Sequence, residues 1–263
     1  MTENCPLPDG VVGDLLELLA PLGVQGFFYG ITTDVTNTQI HSFRKLHKRL
    51  PLEMARARYA VFSDERTRLY RDTYLRVFAR HDPCYFERKR MGPNLWRQPA
   101  EDQQQLKRLL EEFNIRGRVA WLLPCRYHPG WISVFLLHSS LPEGELKAAL
   151  SAHQVSLERG LRVFSDSLAS QWIQRLNPIY NFRCITDKGL EVLRLAAEGM
   201  ASQRIARKLC LTERGVNYHI DRMKALFGAK NRAQLISRGF QMGILNSPPP
   251  EGVCYATDGG ESP

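Results

Sequence analysis

The window 213–227 has apolar residues at the spacing of an α-helix, and this pattern constrains the fold more than any other part of the chain. The apolar residues are Val216, Ile220, Met223 and Phe227. They recur every three or four positions, so they form one continuous stripe along a helix. Thr212 is a typical helix N-cap, and Gly228 is typical of a helix C-terminus. Residues 213–227 are therefore predicted to form an amphipathic helix with defined ends.

Neighbouring segments predict three more short helices around this one. The four helices cover 186–198, 202–210, 213–227 and 231–243. Gly199 ends the first helix, and only Leu211 and Thr212 separate the second from the third. Two helices joined by such a tight turn are typical of a helix-turn-helix. The segment is therefore predicted to be an all-α, four-helix unit.

The side of the 213–227 helix opposite the apolar stripe is polar. Its residues are Arg214, Asn217, Tyr218, Asp221 and Arg222. Arginine can donate two bonds to guanine, and asparagine can pair with adenine through two bonds. Arg214, Asn217 and Arg222 are therefore predicted to read bases in a DNA major groove. Tyr218 would add a phosphate or thymine-methyl contact, and Asp221 would restrain Arg222 or accept a bond from cytosine. The alternative interpretation is a solvated face on an amphipathic helix.

The positive charge of the chain is densest around this helix. The whole chain carries a formal net charge of +9 at pH 7, and residues 185–245 contain 11 Lys+Arg against 5 Asp+Glu, net +6. Such charge favours a polyanionic partner. Basic residues flank the helix where phosphates would pass, and they are predicted to contact the DNA backbone. They are Lys208, Lys224, Lys230 and Arg232. The predicted partner is double-stranded DNA.

The same segment resembles the DNA-binding domain of LuxR-type regulators. The resemblance rests on TDKGLEVLRLAAEG at 186–199, IARKL at 205–209, Val216 and His219. It implies a homodimer on a palindromic promoter site, with two recognition helices roughly 34 Å apart, and RNA polymerase as a candidate further partner. Ala201 departs from the pattern because the family has a capping Ser or Thr there. His219 lies beside the apolar stripe and is interpreted as a packed histidine.

The first 175 residues alternate between helical and strand patterns. The helical segments are 14–22, 64–80, 100–113 and 141–176, and the strand segments are 26–34, 118–124 and 131–138. Few strands with flanking helices predict an α/β/α sandwich with an antiparallel sheet. We therefore divide the chain into a sensor and dimerisation domain at 8–175, a linker at 176–184, a helix-turn-helix domain at 185–245 and a disordered tail at 246–263.

Aromatic and acidic residues in this half resemble the acyl-homoserine-lactone-binding domain of LuxR-type regulators. The matching residues are Tyr70, Tyr74, Phe78, Asp82-Pro83 and Trp96, with Ala120 where the family has Gly. A carboxylate in an aromatic pocket can accept a ligand N–H, a tyrosine hydroxyl can donate to a carbonyl, and a tryptophan can cover a small ring. The predicted ligand residues are Tyr70, Tyr74, Asp82, Trp96 and Ala120. The alternative is that the aromatics are core and that Asp82 caps a turn before Pro83.

These patterns predict a cytoplasmic, dimeric transcription regulator that responds to an acyl-homoserine lactone or a related signal. The first alternative is a ligand-independent regulator whose N-terminal domain only dimerises. An enzyme that acts on the signal, with Cys125 and His128, is a further alternative that we disfavour because no third orienting group follows them. No cofactor, metal site or membrane span is expected, since the six cysteines are scattered and no apolar run is long enough.

Overall fold

A computed structural model of the chain describes residues 2–7, 10–33, 57–87, 90–128 and 130–245. The predicted disordered tail, 246–263, lies outside these ranges. Within them, no helix combines the length and the apolar character needed to cross a membrane.

A six-stranded sheet forms the centre of the N-terminal half in the described residues. Its strands are Glu3–Asn4 (β1), Val24–Thr33 (β2), Tyr59–Phe62 (β3), Gly92–Leu95 (β4), Gly117–Pro124 (β5) and Trp131–Ser139 (β6). Their order is β1-β3-β2-β6-β5-β4. Every neighbouring pair is antiparallel except β1 and β3, which pair in parallel over two residues. The predicted antiparallel sheet is thus confirmed, with one short parallel edge.

Helices cover both faces of this sheet. They are Val11–Leu18 (α1), Glu65–Val77 (α2), Pro83–Phe86 (α3), Gln104–Glu112 (α4) and Glu143–Leu176 (α5). Successive side chains of a strand point to opposite faces. Phe27 and Tyr29 of β2 therefore join one core with α1 and α5, and Phe28 joins a second core with α2 and α4. The predicted α/β/α sandwich is confirmed, and the segment predicted to be helical at 141–176 forms one long helix that begins at Glu143.

The C-terminal half of the described chain is helical. Its helices are Pro178–Asn181 (α6), Asp187–Ala197 (α7), Ser202–Lys208 (α8), Glu213–Phe227 (α9) and Arg232–Gln241 (α10). Thr186, Thr212 and Asn231 each cap a helix with a side-chain oxygen that accepts a backbone N–H. Leu193, Val216 and Leu235 are buried where α7, α9 and α10 meet. The predicted four-helix unit is confirmed as α7 to α10.

The segment predicted as a linker, 176–184, contacts the edge of the sheet. Asn181 of α6 accepts a bond from the backbone N–H of Tyr59 at 2.8 Å and donates one to its carbonyl at 2.9 Å. Beside it, the Arg58 guanidinium donates to the Asp187 carboxylate at 2.9 Å and lies over the Tyr180 ring at 4.8 Å. Strand β3 is therefore bonded to α6, and Arg58, the residue before it, to the first residue of α7. The domain boundaries themselves stay a prediction.

Substitutions at two glycines can test the packing between the N-terminal and the C-terminal parts of the described chain. Gly243 has φ +66°, and a Cβ there would lie 2.9 Å from Cγ1 of Ile173 in α5. Gly144, in the first turn of α5, would bring its Cβ near no other atom. We expect Gly243→Ala to lower the free energy of unfolding by about 1–3 kcal/mol through backbone strain and overlap. Gly144→Ala should raise it by about 0.5–1 kcal/mol. Urea denaturation of both variants checks this, and equal effects would contradict it.

Candidate nucleic-acid interface and ligand site

Helix α9 is fixed in the domain by its apolar stripe. Val216, Ile220, Met223 and Phe227 are all buried, as predicted. At the N-terminus, the Thr212 Oγ1 accepts a bond from the Gly215 N–H at 3.0 Å. At the C-terminus, Gly228 adopts the left-handed conformation with φ 62°. Both predicted caps are confirmed, so the rotation of the helix about its axis is determined by burial on one side.

The polar face of α9 consists of Arg214, Asn217, Tyr218, Asp221 and Arg222, and all five residues are exposed. Tyr218 retains 60% of its accessible surface, which is unusual for an aromatic side chain. Asp221 pairs with Lys224 at 2.7 Å, one turn away, and not with Arg222 as the sequence suggested. An α-helix with its side chains is about 10–12 Å across, so a helix such as α9 fits a DNA major groove, which is about 12 Å wide.

Asn217 is oriented by a contact from the preceding helix. The hydroxyl of Ser202, the first residue of α8, donates to the Asn217 Oδ1 at 2.9 Å. Because Oδ1 accepts this bond, Nδ2 is the donor that remains for a base edge. The sequence analysis missed Ser202, since the two residues are fifteen positions apart and only the turn between α8 and α9 brings them together.

The predicted phosphate-contacting residues fall into two groups. Lys208 and Lys230 are exposed. Lys224 is half-buried and holds the Asp221 carboxylate, and Arg232 is half-buried and donates to the Met200 carbonyl ahead of α8. Lys224 and Arg232 therefore make contacts that stabilise the domain itself, whereas Lys208 and Lys230 are exposed to solvent.

The five predicted ligand residues lie together between the sheet and α2. They are Tyr70, Tyr74, Asp82, Trp96 and Ala120, and each is buried. The ring centroids of Tyr70 and Tyr74 are 5.9 Å apart, and those of Tyr74 and Trp96 are 6.0 Å apart. The resemblance thus identified residues that converge in space, while their role in binding stays a prediction.

The Asp82 carboxylate has three intramolecular partners. Its Oδ2 accepts bonds from the Tyr74 hydroxyl at 2.8 Å and from the Arg118 Nη1 at 3.1 Å, and its Oδ1 accepts from the Cys84 N–H at 2.9 Å. The bond to Cys84 is the turn cap that the alternative interpretation predicted. Asp82 and Arg118 are each only 3% exposed, so they form a buried ion pair.

The Arg118 guanidinium is enclosed by aromatic rings. Its central carbon lies 4.8 Å from the ring centroid of Trp96 and 5.6 Å from that of Tyr74. Burial favours the neutral form of Arg118, but Tyr70, Tyr74 and Asp82 outweigh this effect and raise its pKa. Arg118 therefore stays charged within the core.

His138 lies beside this ion pair and does not add charge. It is the β6 partner of Arg118 in the register of the sheet, and its ring stands edge-on to Tyr70 at 4.6 Å. Burial, assisted by the positive charge of Arg118, lowers the pKa of His138 to about 3. The imidazole is therefore neutral at pH 7, and Arg118 is the cation that faces Asp82.

Arg118 is the residue of the Asp82 cluster that was not predicted from the sequence. Side chains two positions apart on a strand share a face. Ala120 was assigned to the ligand site, so the alternation places Arg118 and Leu122 on the same face. An arginine within the apolar strand RVAWLLP was the available signal.

A surface cleft of about 430 Å³ lies nearby, between the end of α2 and the start of α4. Its lining includes Val77, Phe78, His81 and Gln103. None of the five predicted ligand residues lines it, so this cleft is separate from the Asp82 cluster.

Comparison with known proteins identifies the C-terminal domain. The sequence profile of the family GerE, described as bacterial regulatory proteins of the luxR family, matches residues 184–238. These residues form a LuxR-family helix-turn-helix domain. The match covers α7, α8, α9 and most of α10, so the polar face of α9 lies within it.

Two transcriptional activators match a short part of the chain. The transcriptional activator proteins AhyR of Aeromonas hydrophila and AsaR of Aeromonas salmonicida are each 44% identical over 61 residues. The match spans 23% of this chain and 24% of each relative. The chain thus covers about a quarter of the length of these relatives.

Solved structures were also compared over the whole chain. Escherichia coli SdiA covers 90% of this chain and 91% of its own, with 17% identity and a TM-score of 0.39. SdiA in complex with octanoyl-rac-glycerol covers 93% and 92%, with 15% identity and a TM-score of 0.39. Similarities of this size assign neither a ligand nor a function to the chain.

The LuxR domain departs from its family at the start of α8. Ala201 occupies the N-cap position and, as expected, makes no side-chain cap bond. The contact from Arg232 to the Met200 carbonyl lies next to it and holds the same turn. A guanidinium donor thus secures the chain where the usual hydroxyl is missing.

The pair Cys125 and His128 does not form a nucleophilic site. Burial raises the pKa of the Cys125 thiol and lowers the pKa of His128, so the thiol stays protonated at neutral pH. The His128 Nδ1 accepts a bond from the Gly130 N–H at 3.0 Å. These contacts are those of a strand turn.

Proposed function

We propose that this chain is a dimeric transcription regulator that binds palindromic double-stranded DNA in the cytoplasm through helix α9. One observation carries the proposal: a LuxR-family helix presents an exposed polar face above a fully buried apolar stripe. RNA polymerase is the further partner expected of a regulator at a promoter.

The proposed role of each residue on the DNA follows from the exposure of its side chain and from its contacts within the domain. Arg214, Asn217 and Arg222 have the donors that read base edges, and Tyr218 extends the same surface. Lys208 and Lys230 are exposed cations at the ends of the recognition unit, where they meet phosphates. Lys224 and Arg232, which bond within the domain, contribute less to the interface than the sequence alone suggested.

The two roles predict different effects on binding. Arg214→Ala should reduce the preference for the specific site by about 1–3 kcal/mol, because a base-reading arginine is lost. Lys230→Ala should weaken binding to specific and random DNA alike and reduce the salt slope by about 1. The specific site is first selected from random DNA, and affinities are then measured by fluorescence anisotropy at several salt concentrations. Equal effects of both variants on both DNAs would contradict these roles.

The long helix α5 offers a surface for dimerisation. Val155 is 77% exposed and Val163 is 67% exposed, and their spacing of eight residues places them on one side of the helix. Arg159 lies between them and is exposed as well. The opposite side of α5 is buried against the sheet through Leu157 and Leu161. A second copy of the chain, related by a two-fold axis as a palindromic site requires, would cover the exposed side.

Charge placed on this surface should separate the dimer. We expect the double variant Val155→Glu, Val163→Glu to be monomeric where the unmodified chain is dimeric, because like charges would meet across the two-fold axis. Leu69→Glu, at a 52% exposed residue of α2, is the matched control and should remain dimeric. Sedimentation velocity measures the assembly. A double variant that remains dimeric would exclude this surface.

For the N-terminal domain, the contacts of Asp82 favour the ligand-independent alternative over a lactone receptor. A lactone amide would compete for the Asp82 carboxylate, which already accepts bonds from Tyr74, Arg118 and the Cys84 N–H. Displacing Arg118 would leave a buried guanidinium without its carboxylate, which costs several kcal/mol. In this alternative, the N-terminal domain binds no signal, and it contributes to the regulator its fold and the surface through which two copies associate.

Acyl-homoserine lactones of different chain lengths should therefore leave the melting temperature unchanged. A ligand present at 100 times its dissociation constant would add about 2.7 kcal/mol of stability, which thermal melting detects. A saturable rise with any lactone would instead support the receptor.

A further inference from the structure

The cluster around Arg118 has the composition of a cation-binding cage. A positive group placed over aromatic faces and bonded to a carboxylate is held by two attractions that strengthen when water is excluded. Here Trp96 and Tyr74 supply the faces, and Asp82 supplies the carboxylate. Planar guanidinium suits such a cage better than ammonium, because it stacks on rings and donates in fixed directions.

The walls of the cage come from separate parts of the chain. Tyr74 belongs to α2, Asp82 precedes α3, and Trp96 follows β4. The Arg118 Nη2 also lies 3.5 Å from the Arg97 carbonyl, which extends the contacts to the segment after β4. Arg118 enters the cage from β5, and its guanidinium contacts Tyr74, Asp82 and Trp96 together. The cation therefore joins elements that are distant in sequence.

We propose that this cluster is a guanidinium-binding site that the chain fills with its own Arg118, and that Arg118 thereby excludes other ligands from it. Neutral amides are excluded from this site because they would separate Arg118 from Asp82 and leave both buried charges unpaired. Once the side chain is truncated, the cage accepts a small free guanidinium compound. The inference concerns the N-terminal core and does not depend on DNA binding.

Chemical rescue of Arg118→Ala in the full chain tests the proposal. The truncation removes the atoms of ethylguanidinium from the cage and should lower the melting temperature by roughly 6–20 °C, because Asp82 is left buried without its cation. Ethylguanidinium should then raise it again in a saturable way, by about 3–6 °C at ten times its dissociation constant. Ethylurea has nearly the same shape without the charge and should give no such rise.

Three controls isolate the cage from general solvent effects. The unmodified chain should not be stabilised by ethylguanidinium, because its cage is full. Leu122→Ala opens a cavity on the same face of β5 without removing a charge, and it should not be rescued. Arg118→Ala combined with Asp82→Ala lacks the carboxylate and should not be rescued either. A rise of equal size in any of these proteins, or with ethylurea, would overturn the proposal.

The proposal can still be tested if Arg118→Ala does not fold in buffer. Arg118→Ala is then refolded from denaturant with ethylguanidinium or with ethylurea, and the soluble yield is compared. Recovery with ethylguanidinium alone supports the cage. Equal recovery with both compounds, or none with ethylguanidinium, overturns it, as does an Arg118→Ala protein that melts like the unmodified chain.

Discussion

The buried ion pair between Arg118 and Asp82 constrains the N-terminal domain more than any other interaction. An isolated charge in a protein interior is unfavourable by several kcal/mol, so each member is tolerated only because the other lies 3.1 Å away. The Tyr74 hydroxyl and the Cys84 N–H complete the bonding of the carboxylate. Strand β5 must therefore lie against the turn before α3, and the aromatic rings of that core pack around a charged centre.

The helical half of the chain could be predicted almost completely because its signals are local. The stripe of α9 repeats within a few residues, and the capping bonds of Thr212 and Asn231 reach only three residues along the chain. The strands β1, β3 and β4 were missed for the opposite reason. Each has at most four residues, too few for a period, and β1 exists through bonds such as Glu3 N–H to the Arg58 carbonyl. Long-range pairing of this kind leaves no local pattern.

The candidate sites show the same division between local and distant contacts. The polar face of α9 follows directly from helical spacing, and the resemblance correctly grouped the aromatic residues with Asp82. The motifs that carry the resemblance include neither Arg118 nor Ser202. Arg118 bonds to Asp82 across 36 positions, and Ser202 bonds to Asn217 across the helix-turn-helix. Strand alternation could have placed Arg118 on the correct face, but only the fold shows that its charge is matched there.

The sheet links the Arg118 cluster to the LuxR domain of the chain. Phe62 of β3 packs in the same core as Tyr74 and Trp96, while Tyr59 at the other end of β3 is bonded to Asn181. Arg58, next to Tyr59, pairs with Asp187 at the start of the LuxR domain. Strand β3 is therefore held at both ends, by the core around Phe62 and by the bonds of Tyr59 to Asn181, and the ion pair of Arg58 with Asp187 holds the start of the LuxR domain beside it.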